Sequence, residues 1–212
     1  PPDLGARAIT LVDKPGASQS QVWVFGRGIS IKDPDLDALR VANYILGGLF
    51  GSRLNMNLRE AKGYSYGVRS SVAAMRDHGM LVAAGGIKAN VTAEALVEYE
   101  KELKEFAGGA LREGELDKAR EAAIRSLPSQ LETNDAVAGS IASIAFNGLP
   151  LDYYKTLPDR IGKVDAAAVA RVAAKYILPD KWPVVIVGPR ADSEEKLKAL
   201  GLGAVTVRAD VK

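Results

Sequence analysis

The chain has 212 residues, 47% hydrophobic and 25% charged, a globular composition rather than a disordered or fibrous one. Its 28 Lys and Arg residues are nearly cancelled by 26 Asp and Glu, leaving a net charge of +2 and no basic run of the kind that tracks phosphates, which argues against nucleic acid as a partner. Cysteine is absent, so disulfides, thiolate metal sites, iron–sulfur clusters and a cysteine nucleophile are excluded.

In chain order, Ala8–Asp13 alternates as a strand and ends at Lys14-Pro15-Gly16. Gln21–Gly26 reads as a second strand. Asp33-Pro34 is expected to cap a helix, with proline at its first position, whose stripe of Leu36, Leu39, Ala42, Ile45 and Leu49 faces a sheet. Gly47-Gly48-Leu49-Phe50-Gly51 breaks that helix, and Ser52 starts a short one with Leu54, Leu58 and Ala61 inward and Gly63 as its stop. Tyr64–Ala74 and Gly79–Ile87 form a hairpin around Met75–His78. A long helix from Asn90–Thr92 carries Leu96, Tyr99, Leu103 and Phe106 on one face and pairs Glu100 with Lys104. Helices follow over Glu113–Leu127 and Asn134–Phe146, Pro150 and Pro158 bracket a connection, and Asp165 caps a helix to Tyr176. Pro183–Gly188 is the strand that rejoins the sheet, and Ser193–Leu200 a last helix. The class expected is α+β, an antiparallel-rich mixed sheet with helices packed on one face, in a single domain over residues 1–212. The start at Pro1-Pro2-Asp3, with no signal-like segment, reads as a piece of a longer protein, and the compartment, bacterial periplasm or cytoplasm, is left open. No apolar run approaches the roughly 20 residues of a membrane span.

Several chemistries are removed by counting. His78 is the single histidine, so no zinc site of the H-E-x-x-H or H-x-x-E-H kind fits inside the chain. Its place in a hairpin turn makes it a solvated turn residue rather than part of a triad. Gly26-Arg27-Gly28 lacks the third glycine of a dinucleotide loop, and no G-K-[ST] follows a glycine turn. Trp23 and Trp182 read as core or interface aromatics, and Met56 as packing.

The specific stretch is Gly47–Val68, GGLFGSRLNMNLREAKGYSYGV, a glycine-rich turn followed by S-R-L, L-R-E and G-x-x-Y. It resembles the corresponding segment of the insulinase/pitrilysin/mitochondrial-processing-peptidase family of zinc metallopeptidases. Gly79–Gly86, Gly114–Ala119, Gly148–Tyr154 and Val184–Gly188 continue the likeness in order along nearly the whole chain. The resemblance is to the family's C-terminal domain, which lacks the zinc motif and closes over substrate.

That resemblance implies an Arg/Tyr pair, here Arg59 and Tyr66, aimed at a zinc site on another domain or chain. A guanidinium and a phenol donate hydrogen bonds, the chemistry needed where a peptide carbonyl gains negative charge. Period-two alternation expects Tyr64, Tyr66 and Val68 on one face, with Arg59 brought near by the turn at Gly63, over a common cleft. Tyr64, Gly47, Gly48 and Gly51 are the expected substrate- or partner-facing residues. No metal ligand is expected in this chain; zinc belongs to a partner bearing the zinc motif, peptide is the substrate, and the full-length form is expected to be a homo- or heterodimer. Two rival readings are an inert assembly domain of the same family, as in respiratory-complex core subunits, and a peptide-binding module without hydrolysis.

Overall fold

The computed structural model describes residues 5–209; Pro1-Pro2-Asp3 lies outside the described residues. One six-stranded sheet carries the fold, in the order β3-β4-β2-β5-β1-β6. β1 (Ala8–Asp13) runs parallel to both β5 (Val184–Gly188) and β6 (Ala204–Arg208). β2 (Gln19–Gly28) is antiparallel to β4 (Gly79–Lys88) and β5, and β3 (Ser65–Ala74) is antiparallel to β4. The mixed, antiparallel-rich sheet of the α+β expectation is therefore what forms.

Alternation decides which face the helices cover. Ile9 and Leu11, Val22 and Val24, and Val184 and Ile186 are all fully buried at every second position. On the opposite face Trp23 stays 42% exposed and stacks on Phe25, ring centroids 5.9 Å apart. α1 (Leu36–Asn43), α3 (Thr92–Ala107) and α7 (Ala166–Tyr176) pack over the apolar side. The stripe Leu96, Tyr99, Leu103 and Phe106 of α3 is completely buried, as its spacing predicts, and Trp182 joins the same core. Asp165 caps α7 by accepting the Ala168 amide at 2.7 Å. Around the rim lie α4 (Glu115–Arg125), α5 (Asn134–Asn147), α6 (Tyr153–Gly162) and α8 (Arg190–Ala199). Among the described residues no helix is long and apolar enough to cross a membrane.

Four boundaries differ from the sequence expectation. Asp33-Pro34 forms a turn instead of a cap: Asp33 accepts the Leu36 amide on its carbonyl at 3.0 Å and the Asp35 amide on its carboxylate at 2.8 Å, and α1 begins at Leu36. Pro158 lies inside α6 rather than in a connection. Leu157 and Ile161 are both buried there, worth about 1.5–3 kcal/mol each, enough to offset the roughly 3 kcal/mol that an internal proline costs. α8 starts at Arg190, whose amide is held by Asp13 at 3.0 Å, ahead of the expected Ser193. β6 follows the strand expected to close the sheet; its half-buried alternation at the sheet edge gives only a weak pattern.

Candidate functional site

The segment from Gly47 to Val68 is built as a platform beside edge strand β3. Tyr44–Gly48 closes α1 with a wide π turn, and Gly47 is buried where any Cβ would sit 2.5 Å from the Ser70 amide nitrogen of β3. Its missing side chain lets the turn touch the sheet, so Gly47 serves internal packing and does not face outward. Gly48 packs beside Asn43, whereas the exposed Gly51 has open space around it.

Ser52 precedes α2 (Arg53–Asn55), which widens into a π turn over Met56–Ala61 and stops at Gly63, φ 62°. Arg53 pins this short helix to the domain. Its guanidinium is 3% exposed, binds both oxygens of Glu115 at 2.8 and 2.6 Å and the Ala110 carbonyl at 2.7 Å, and lies over the Phe106 ring. Burial raises the Glu115 carboxyl, but the bonds from Arg53 and the Arg112 amide outweigh it and hold it below its ordinary value. Further along, Asn57 donates to Glu98 and Glu102, both at 2.9 Å, and Lys62 pairs with Glu98 at 2.8 Å.

Arg59 and Tyr66 leave this platform outward. The Arg59 side chain is 39% exposed, pairs with Glu60 at 3.3 Å and places its guanidinium 4.6 Å from the centre of the Phe50 ring. Tyr66 is 78% exposed, and its hydroxyl has no hydrogen-bond partner among the described residues. Both project from open surface rather than over an internal cleft. Phe50 and Met56 are also exposed, so Met56 is not the packing residue its spacing predicted. Tyr64 is half-buried against the core.

The alternation expected across Tyr64, Tyr66 and Val68 fails, and the cause is a β-bulge. Strand pairing shifts between Ser65 and Val68, so both of these point inward and Tyr66 swings out between them. Two side chains hold the bulge. Ser65 Oγ accepts the Gly67 amide at 2.9 Å and donates to the Gly86 carbonyl at 2.7 Å. Asn55 Oδ1 accepts the Val68 amide at 3.2 Å. Sequence reasoning passed over Arg53, Asn55 and Ser65. The signal it held was a polar residue, Asn55, beside Leu54 on the buried side of a short helix, where only a satisfied amide is tolerated.

Among the described residues no three His, Cys, Asp or Glu side chains gather as a metal would need, and His78 is exposed in the β3–β4 turn.

The family described as peptidase M16 inactive domain matches residues 1–123. The chain belongs to that family. The relatives similar to it include an uncharacterized zinc protease, YmxG, of Bacillus subtilis, 26% identical over 181 residues that cover 84% of this chain and 44% of the relative. A protein named non-peptidase homolog YmxG, of Helicobacter pylori, is 31% identical over 144 residues, 66% of this chain and 33% of its own length. Among solved structures, the peptidase M16 inactive domain from Pseudomonas fluorescens superposes with a TM-score of 0.78 at 27% identity, over 87% of this chain and 44% of that one. The M16 chain thus spans less than half the length of the curated relatives it matches.

Proposed function

We propose that this M16 domain is the substrate-enclosing, non-zinc part of a metalloendopeptidase, forming over residues 1–212 one half of a longer subunit. In this reading Arg59 and Tyr66 bind or polarise substrate carbonyls at a zinc site that another domain or chain carries. The observation that carries it is the exposure of both members: a phenol 78% exposed without a partner among the described residues, and a guanidinium resting on an exposed ring. Both groups only donate to a carbonyl oxygen; neither is a nucleophile or a base at neutral pH. Zinc on the companion would supply the activated water. Donors fixed in advance lower the barrier as charge grows on that oxygen. Their exposure in the lone domain is what a site completed by a second surface requires. The companion would be a domain or subunit of the same family bearing H-x-x-E-H, and the substrate a peptide.

A second reading, an inert assembly domain, is favoured by the name of the Helicobacter relative, a non-peptidase homolog. Hydrolysis of a quenched fluorescent peptide separates the two, using the full-length protein alone and mixed with an M16 chain that carries the zinc motif. Arg59→Ala and Tyr66→Phe, with folding verified, are each expected to lower metal-dependent turnover by about 10²–10³-fold. Full activity in both variants removes the role of the pair. No cleavage with any zinc-bearing partner leaves the inert reading.

A further inference from the structure

Asn55 is 4% exposed, on a helix of barely one turn, between the two segments that carry the outward pair. An amide buried there costs free energy unless both its ends are bonded, and both are. Its Nδ2 donates to the Phe50 carbonyl at 2.7 Å, fixing the turn whose ring lies under Arg59. Its Oδ1 accepts the Val68 amide at 3.2 Å, closing the bulge that turns Tyr66 outward. No other side chain among the described residues bonds to both segments. Ser65 holds only the bulge.

We infer that Asn55 is a positioning residue for both members of the pair, setting the Phe50 support under Arg59 with one end of its amide and the Tyr66 bulge with the other. This inference rests on the proposed role of Arg59 and Tyr66 for its effect on catalysis, but the geometry it assigns stands without that role. An apolar residue of similar size would fill the same space and release both segments. Asn55→Leu therefore separates positioning from packing. Asn55→Asp, at a pH where its carboxyl is ionised, keeps the acceptor for the Val68 amide and loses the donor to Phe50, so it disturbs the Arg59 side first. Ser65→Ala does the reverse.

The test is a set of double-mutant cycles in the full-length protein with its zinc-bearing companion, read as kcat and KM separately, together with the ¹⁹F spectrum of 3-fluorotyrosine at position 66. Asn55→Leu is expected to lower kcat at least about tenfold, as misplacement of catalytic groups by an ångström does. It should leave KM nearly unchanged and cost less in either Tyr66→Phe or Arg59→Ala than in wild type, because each of those backgrounds leaves one member of the pair still to be misplaced. Ser65→Ala should be non-additive with Tyr66→Phe only. The position-66 resonance should shift in Asn55→Leu and Ser65→Ala and stay put in Asn55→Asp. If Asn55→Leu does not fold, the Asp and Ala variants carry the same comparison. Losses that multiply in full with both Tyr66→Phe and Arg59→Ala, or an unmoved ¹⁹F resonance in both Asn55→Leu and Ser65→Ala, overturn the inference. If Tyr66→Phe is itself fully active while the resonance moves, the catalytic reading of the pair fails and the positioning geometry holds.

Discussion

Tyr66 illustrates how much depends on a single inserted residue. Strict alternation would have placed it with the buried Val68; the bulge between Ser65 and Val68 puts it in solvent instead. Period two was legible in the sequence, but the bulge was not, because it is fixed by Asn55 and Ser65 through hydrogen bonds that leave no pattern. Asp35 is a second residue whose work is visible only in three dimensions. Burial raises its carboxyl, but Lys175 at 2.9 Å, Tyr176 at 2.7 Å and Arg171 at 2.7 Å more than compensate and hold its pKa at about 2. A carboxylate so depressed stabilises the fold above its unfolded pKa and loses that contribution as pH falls through the folded value. Asp35→Asn is thus expected to lower unfolding free energy at neutral pH by roughly 1–3 kcal/mol. The gap from wild type should close between about pH 4 and pH 2 in urea titrations. An unchanged gap at pH 2 would remove Asp35 as the tie between α1 and α7.

At the scale of elements, two helices of similar length behave in opposite ways. α3 shows on its inner face four apolar side chains, all fully buried, and its position was legible from spacing alone. α5 is as apolar, yet none of its residues is buried; Ile141 is 62% exposed and Phe146 68%. Good caps explain why it forms: Thr133 accepts the Ala136 amide at 3.2 Å, and Gly148 adopts φ 58° at the other end. Leu103→Ala is expected to cost about 2–5 kcal/mol in chemical denaturation. Ile141→Asp should stay within about 0.5 kcal/mol. A large loss from Ile141→Asp would mean that α5 supports the core after all. Spacing found both helices but could not tell the buried from the bare one, since composition reports a wish for burial and not whether a neighbour supplies it. The same blindness missed β6 at the sheet edge and let Pro158 pass for the end of a connection.

For the whole molecule, the family was legible from the Gly47–Val68 motif, and the want of an H-x-x-E-H pair from one count, the single histidine. Sequence could not say which way Arg59 and Tyr66 point, because that depends on the platform built by Arg53 and on the bulge. With no acidic or histidine cluster among the described residues, chelators should leave the thermal midpoint of this chain unchanged. A drop of several degrees on adding EDTA would reveal a structural metal.

The central claim is that Arg59 and Tyr66 face a metal site carried elsewhere. Its most direct measurement is paramagnetic relaxation in the full-length protein with its companion, the companion's zinc site loaded with cobalt(II). The account predicts strong broadening of the Arg59 Nε–H and Tyr66 ring resonances and little at the far edge strand β6. Broadening that leaves both residues untouched while the cobalt is demonstrably bound would contradict it.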